Sequence, residues 1–411
     1  MSMLRLGTYP LIVLSSTVLF WIFRENSFSG DWQAWIRYLE GGLWYRLREP
    51  ISLVIYQIPY LALRSCGVSA RDVLAATSCV MGGLSMSYAW AALGVLTSQT
   101  RFQVFGMLAL LGSYGVSGVF FGHLEHYSIM SLGCFAYLYY ALRYLRGDAS
   151  IIGAALVLAL TAATHLMAAW LVPSLLALPW IKPQREVAPN SRLRDFAAGV
   201  TSFGVPNLLI WAAILTLYYD ANVLNLIQDG IDGRFSKRYY GVGNALGGGN
   251  DKGFLTLAEI FSGGHWKGMA ALLLLYSPIA IAGITTALVR GGRDARDALL
   301  SPNGRLLLAL TIPYSIYAWT WEPGLGYAQD WDLFSHLSIF LVFTMVLLVV
   351  ELRRDAAVRV ATGLGLLLSF ALTGYVVAAN HEARSPTGVW TVLSSAGVNV
   401  ERISKIRIGP Q

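Results

Sequence analysis

Apolar segments long enough to cross a membrane recur from one end of this 411-residue chain to the other. Each has roughly 17–25 residues, which as a helix covers about 30 Å of hydrocarbon. Hydrophobic residues make up 55% of the chain and charged residues only 13%, whereas a soluble domain carries about 25% charged residues. We therefore expect an all-α polytopic membrane protein, organised as one integral membrane unit.

Eleven transmembrane helices follow from the positions of these segments. The predicted spans are residues 8–23, 72–97, 103–121, 125–145, 150–165, 166–181, 196–219, 267–289, 305–321, 333–351 and 356–379. The segment 51–63 is apolar but only about 13 residues long, which is too short to span and suits an interfacial helix. No small-residue cleavage site follows the first segment, so we interpret it as a retained helix rather than a signal peptide.

The hydrophilic gaps alternate between two kinds, and this alternation predicts the topology. The gaps rich in Arg or Lys lie at Arg101, at Arg143 and Arg146, and at residues 182–194, 290–305 and 353–359. The positive-inside rule makes this side cytoplasmic, together with the N-terminus. The net charge of +7 then encodes orientation, and no nucleic-acid partner is expected. The three cysteines show no metal-ligand spacing.

The predicted domain is a transmembrane unit over residues 1–380, with an extracytoplasmic tail at 381–411. Two of its outer loops are long. The first, 24–71, carries arginines against the topological bias, and the second, 220–266, contains a glycine-rich run that indicates a mobile segment.

Asp31 in the first outer loop is a candidate catalytic acid. It follows Gly30 and precedes a helical pattern whose aromatic face includes Trp32 and Trp35, as expected of an amphipathic helix at the interface. The alternative is that Asp31 only caps this helix, a role that Asp fills well.

Arg46 and Arg48 precede the proline that opens the short apolar helix. A guanidinium presents a planar fork of donors that suits phosphate, so both are candidate substrate-binding residues. The alternative is snorkelling to lipid headgroups, and Glu49 then pairs with one of them.

Glu125 lies in the tight connection between the third and fourth spans, flanked by His123 and His126. A carboxylate so close to hydrocarbon is costly without partners, which indicates a functional residue. The His-x-x-His spacing with an acid could also hold a metal ion if the helical register lets the two rings converge.

Three more features of the outer side are candidate substrate-binding sites. His165 ends the fifth span, where a lone histidine is also a common structural donor. Asp330 and Asp332 form a D-x-D triad that can hold a divalent cation, or Asp332 caps the helix that follows. His265 follows a Gly-Gly pair at a helix start, which is either an anion site or a plain helix start.

Taken together, these features resemble the GT-C superfamily of integral membrane glycosyltransferases. The resemblance covers nearly the whole chain: a long first outer loop with an acid near the end of the first helix, interfacial helices, and about eleven spans. The segments G-D at 30–31, R-E-P at 48–50, G-H-L-E-H-Y at 122–127 and D-W-D-L-F at 330–334 resemble segments of uncharacterised bacterial members.

The resemblance implies a transferase of the bacterial plasma membrane that works on the extracytoplasmic face. Its partners would be a polyprenyl-phosphate-linked sugar donor, membrane lipids, and a glycan, lipid or protein acceptor of the cell envelope. Asp31 would be the base of an inverting transfer, and Arg46, Arg48 and His265 would stabilise the phosphate leaving group. Glu125 and Asp332 would orient the substrate, and a divalent cation could take part.

Two other functional classes stay open at this point. A transporter or flippase for a lipid-linked or anionic solute would place acids at mid-membrane and show two related halves. A non-catalytic subunit of an envelope-polysaccharide assembly would share the architecture without the activity.

Overall fold

The computed structural model describes residues 3–25, 32–45, 49–183, 191–225, 255–321 and 331–382, and its elements are helices. Four of the candidate residues lie outside the described residues: Asp31, Arg46, Arg48 and Asp330. Their predicted roles stay predictions.

The described residues form a series of α-helices joined by short connections. The helices are α1 (Met3–Ile22), α2 (Trp32–Glu40), α3 (Ser52–Leu63), α4 (Ala70–Thr97), α5 (Thr100–Gly112), α6 (Tyr114–Ser117), α7 (Tyr127–Leu145), α8 (Ile151–Thr164), α9 (Val172–Ile181), α10 (Ser191–Tyr219), α11 (Leu257–Ile260), α12 (Gly263–Tyr276), α13 (Pro278–Leu300), α14 (Pro302–Thr320), α15 (Trp331–Ser335), α16 (Leu337–Glu351) and α17 (Ala356–Glu382). Three 3₁₀ turns accompany them, at Arg64–Cys66, Gly118–Phe120 and Leu166–Leu171.

Each predicted span coincides with one helix or with a broken pair of helices. In the described part of the chain, α4, α10 and α17 are each long and apolar enough to cross a membrane. Two bent pairs, α5 with α6 and α12 with α13, raise this to five if each pair is one span. The protein is therefore an integral membrane protein, and the count of eleven spans stays a prediction.

The two bent pairs break at serines that touch each other. The chain turns by 78° at Ser113 and by 100° at Ser277, and the two Oγ atoms are 2.9 Å apart. Ser277 precedes Pro278, and a residue before proline is pushed out of the α conformation; its φ of −159° and ψ of 73° fit this effect. The predicted span 267–289 is therefore not one straight helix.

Close packing of α6 against α12 keeps the two breaks together. A Cβ atom at Gly115 would lie 2.7 Å from the Cβ of Tyr276, so only glycine permits this approach. The hydroxyl of Tyr276 in turn donates to the backbone oxygen of Trp331 at the start of α15. These contacts tie three short elements into one unit at the end of the bundle.

The short helices predicted in the first outer loop are present as α2 and α3. The apolar face of α2 buries Trp35 and Leu39, and α3 buries Leu53 and Tyr56 against it. Trp35 meets the Tyr56 ring edge-on at 5.8 Å. The Tyr56 hydroxyl donates to the backbone oxygen of Glu125 at 2.9 Å, so this pair of helices positions the loop that carries Glu125.

Candidate functional site

Four buried histidines surround the ring of Tyr127, and we call this set the histidine cluster. The ring of Tyr127 lies 4.3 Å from that of His126, 5.8 Å from His165, 5.9 Å from His336 and 6.5 Å from His123. All four imidazoles are buried. Polar rings at such density inside a membrane protein are costly unless they have partners, which marks this place as a candidate site.

Breaks between helices bring these side chains together. His123 and His126 lie in the connection before α7, which turns at Gly122 with a φ of +76°. His165 ends α8 in an extended conformation. His336 lies between α15 and α16. Each histidine therefore lies in a connection between helices or at a helix end, and the four rings meet around Tyr127.

Two of the histidines face buried carboxylates. Nε2 of His123 is 2.7 Å from Oδ2 of Asp332, and Nε2 of His165 is 3.7 Å from Oε1 of Glu49. Both acids are buried. Glu125, also buried, lies with His123 and Asp332, and the three ligand atoms of this group are within 4.8 Å of one another. Burying a carboxylate requires such partners.

His126 is held between aromatic rings. It stacks on His165 with centroids 4.6 Å apart and an angle of 6° between the planes, and Trp35 of α2 lies 4.9 Å from it on a tilted plane. The segment between α1 and α4 therefore contributes directly to the cluster through α2.

The two acid-bearing groups differ in their fitness for a cation. Glu49, His126 and His165 have ligand atoms within 4.8 Å of one another. However, Nδ1 of His165 accepts a hydrogen bond from the Met167 backbone at 3.0 Å, which leaves the proton of the neutral ring on Nε2, the atom that faces Glu49. A protonated nitrogen is not a metal ligand, so this group does not fit a metal ion.

The second group, His123 with Glu125 and Asp332, offers one imidazole and two carboxylates, a donor set that suits divalent cations such as Zn²⁺ or Mn²⁺. Nε2 of His123 lies 2.7 Å from Oδ2 of Asp332, so it would bind a cation only with the ring proton on Nδ1 instead. The predicted His-x-x-His pair is thus divided, because the structure places His123 with this group and His126 with the other.

A further buried acid, Glu25, adjoins the cluster from the end of α1. Its Oε1 accepts a hydrogen bond from the hydroxyl of Tyr114 at 2.9 Å. Burial raises the pKa of Glu25 from 4.5 to about 7, opposed by hydrogen bonds from Asn380 and Tyr114 and by the charge of His123. This carboxyl group can therefore gain or lose a proton near neutral pH.

The structure brings together Glu125, His165 and Asp332, three of the residues predicted for catalysis or substrate binding, with the possible metal ligands His123 and His126. His265 is buried elsewhere, with its ring edge-on to Trp319 at 5.3 Å. Its backbone N–H donates to the Ser262 side chain at 3.3 Å, so Ser262 caps α12. The sequence had left two interpretations of this helix start open, an anion site or a plain helix start.

Sequence reasoning assigned no site role to Glu25, Glu49 or His336. Glu25 did carry a signal, as an acid two residues beyond a run of apolar residues, and Glu49 had one in the proline that follows it. His336 follows the D-W-D segment by four residues, one helical turn.

Comparisons with known proteins place the fold. No protein-family profile matches the chain, and no curated protein matches it. Among solved structures, the crystal structure of ArnT from Cupriavidus metallidurans bound to undecaprenyl phosphate is similar, with a TM-score of 0.57 and 12% sequence identity. The match covers 97% of this chain and 75% of that chain. The chain therefore has a GT-C-like fold, as the resemblance implied.

Proposed function

We propose that the protein is a glycosyltransferase that moves a sugar from a polyprenyl-phosphate carrier to an acceptor on the extracytoplasmic face of the membrane. The observation that carries this proposal is a buried cluster of histidines and carboxylates at the helix ends of a GT-C-like fold. The similar structure, that of ArnT, contains bound undecaprenyl phosphate, which supports a carrier of that chemical class.

Asp31 is the proposed base. It directly precedes α2, whose Trp35 contacts His126 of the cluster. In an inverting transfer the base takes the proton of the acceptor hydroxyl while that oxygen attacks the anomeric carbon. The bond from the anomeric carbon to the phosphate oxygen breaks, and the polyprenyl phosphate leaves with the electron pair. Glu125 and Asp332 hold the hydroxyls of the sugar or acceptor.

The leaving phosphate needs positive charge or hydrogen-bond donors. Arg46 and Arg48 are proposed to supply them, and Arg48 directly precedes Glu49, the partner of His165. His165 is proposed to bind the substrate on the same side, and His265 to contribute at the start of α12. Asp330 is proposed to assist Asp332 in binding.

A divalent cation is an optional part of this proposal. The group of His123, Glu125 and Asp332 would hold it. There it would supply positive charge for the phosphate of the donor. Removal of divalent cations with a chelator and their return one by one would measure whether transfer depends on them.

The decisive experiment compares two acids at the ends of α2. Asp31→Asn keeps the shape and can still cap a helix, but it cannot take a proton, so transfer from a polyprenyl-phosphate sugar in liposomes should fall by about 10²–10⁴. Glu40→Gln, which changes an exposed acid at the other end of α2, should transfer normally. Glu125→Gln and Asp332→Asn should be less affected than Asp31→Asn.

A well-folded Asp31→Asn protein with near-normal transfer would remove Asp31 from the mechanism and make Glu125 the leading base. A wild-type protein that consumes no polyprenyl-phosphate sugar, tested with several sugars and acceptors, would count against the function itself.

The sidedness of the site is tested separately by cysteine labelling. In a background without Cys66, Cys79 and Cys134, the variant Phe261→Cys should react with an impermeant thiol reagent from outside the cell. Arg354→Cys should react only after permeabilisation. Labelling of both from the same side would contradict the proposed topology.

The transporter or flippase alternative gains one observation, the two broken helix pairs, because broken spans also form substrate sites in transporters. The liposome assay separates the two functions. A transporter would move the lipid-linked sugar between leaflets and leave its bond to phosphate intact.

A further inference from the structure

An apolar groove of about 430 Å³ lies between helices of the bundle, and none of the proposed catalytic or substrate-binding residues lines it. It lies between the end of α1, the end of α5 and one face of α17, and the lining of α17 extends from Phe370 to His381. Apart from His381 at one end, the polar side chain among the lining residues is that of Thr373, whose hydroxyl donates to the Gly112 backbone at 2.8 Å. The groove wall thus presents hydrocarbon.

The helices that border the groove are apolar on their outer faces. Leu14 of α1 is 64% exposed and Leu367 of α17 is 70% exposed. In an integral membrane protein such faces contact lipid chains. The groove therefore opens to the hydrocarbon of the bilayer, and its occupant enters from there.

One end of the groove is formed by His381, and Arg24 adjoins this end without lining the groove itself. Nδ1 of His381 is 2.6 Å from the backbone oxygen of Arg24. The guanidinium of Arg24 lies over the Trp21 ring at 4.3 Å and donates to the Trp21 backbone. A tryptophan with an arginine is typical of the headgroup region of a membrane. The neighbouring carboxyl of Glu25 is buried and points to Tyr114 instead.

The length of the groove matches one leaflet. The eleven residue steps from Phe370 to His381 rise about 17 Å along a helix, and half of the hydrocarbon core is about 15 Å thick. A volume of about 430 Å³ lies within the range of roughly 300–1,000 Å³ for ligand pockets. A fatty acyl chain extends over one leaflet, whereas a polyprenyl chain is longer.

We propose that this groove binds one acyl chain of an anionic glycerophospholipid, with the lipid phosphate at Arg24. The groove is lined by hydrocarbon, and Arg24 adjoins its His381 end. An acyl chain below an anionic phosphate matches this arrangement. Phe121 forms part of the wall, and His123 follows it by two residues. A bound lipid would therefore support the loop that carries the histidine cluster.

The test uses two glycines of α17 that a larger side chain can replace. A Cβ atom at Gly374 or at Gly363 would meet nothing within 4 Å. Gly374 lines the groove, so the side chain of Gly374→Leu should occupy it, and Gly363→Leu is the matched control. Ala378→Phe is a second variant that fills the groove.

The probe is phosphatidylglycerol with a photoreactive diazirine on one acyl chain, mixed into nanodiscs that hold the full-length protein. After irradiation, mass spectrometry locates the label. We expect label between Phe370 and Val377 in the wild-type protein and in Gly363→Leu. Gly374→Leu and Ala378→Phe should lower it at least fivefold, and Arg24→Gln should lower it to the level of phosphatidylcholine with the same tail.

Three results would overturn the proposal: equal labelling of Gly374→Leu and Gly363→Leu, equal labelling by the two phospholipids in the wild-type protein, or full displacement of the probe by equimolar undecaprenyl phosphate. The last result would assign the groove to the carrier. None of these measurements requires glycosyl transfer, so the outcome is independent of the proposed function.

Discussion

The two ends of the helix bundle treat their charged residues in opposite ways. At the end rich in arginine, Arg290 and Asp355 form an ion pair of 3.7 Å whose side chains are 61% and 25% exposed. At the other end, His123 and Asp332 approach to 2.7 Å, with side chains 1% and 2% exposed. An exposed pair is solvated with or without its partner, whereas a buried group depends on its partner.

This difference is expected if charges at the first end set the orientation of the protein in the membrane and charges at the second end form the candidate site. Two arginines of the first end bind local backbone oxygens, Arg143 that of Asp148 at 2.7 Å and Arg359 that of Arg353 at 3.0 Å. Such contacts suit residues whose charge sets the topology. At the second end acids and imidazoles are buried, which costs free energy of folding. Ionisable groups buried in a membrane protein are typical of functional sites.

Among the substitutions that test this contrast between the two ends, Asp332→Ala should reduce the stability of the protein most. The substitution leaves His123 buried without its acceptor, so the free energy of unfolding should fall by about 3–5 kcal/mol. Thermal unfolding of the purified protein in detergent measures it. The double variant with His123→Ala should be less destabilised than the sum of the two single variants, and strict additivity would contradict the pairing.

The next effect depends on pH and concerns Glu25. The folded protein holds the Glu25 proton up to a pKa of about 7, and the ordinary value is 4.5. As pH rises from 4.5 to 7, the unfolded state therefore releases this proton first, and the wild-type protein loses stability. Glu25→Gln has no proton to lose, so relative to wild type it should gain about 3 kcal/mol between pH 4.5 and pH 8.

This gain is measured as the difference in unfolding temperature between the two proteins at each pH, in which all other titrating groups cancel. A difference that is constant across the pH range would show that burial does not raise the Glu25 pKa.

The smallest effect should come from the exposed pair at the opposite end. Arg290→Ala removes the partner of Asp355, and the free energy of unfolding should change by about 0–1 kcal/mol. High salt should reduce even this change. A loss as large as that of Asp332→Ala would abolish the contrast between the ends.

Much of the fold could be predicted from the sequence because the membrane imposes a length on every apolar helix. The helices α2 and α3 were predictable too, since 51–63 is apolar and 32–39 has an aromatic face at helical spacing, whereas their interfacial position stays a prediction. The bends were not predicted, although Ser277-Pro278 carries a signal for one of them. The bend at Ser113 is accompanied by close packing of Gly115 against Tyr276, and these two residues are distant in sequence.

Single residues of the candidate site could be predicted from the sequence, but their partners could not. Glu125, His165 and Asp332 were expected because polar groups beside hydrocarbon stand out. The partnership of His165 with Glu49 joins residues 116 positions apart, and no local pattern shows it. The tautomer of His165 depends on one backbone N–H at Met167, a contact that no sequence pattern indicates.

The contact between Ser113 and Ser277 has a mechanical consequence. Two helix breaks joined by one hydrogen bond and one glycine contact make a shared hinge rather than two independent ones. If α12 swings, α6 follows, and the link from Tyr276 to Trp331 carries the displacement to α15, on which Asp332 lies. Opening the bundle to admit a bulky substrate would thus also move Asp332, an acid of the histidine cluster. Substrate entry and the positioning of this acid would then depend on one and the same motion.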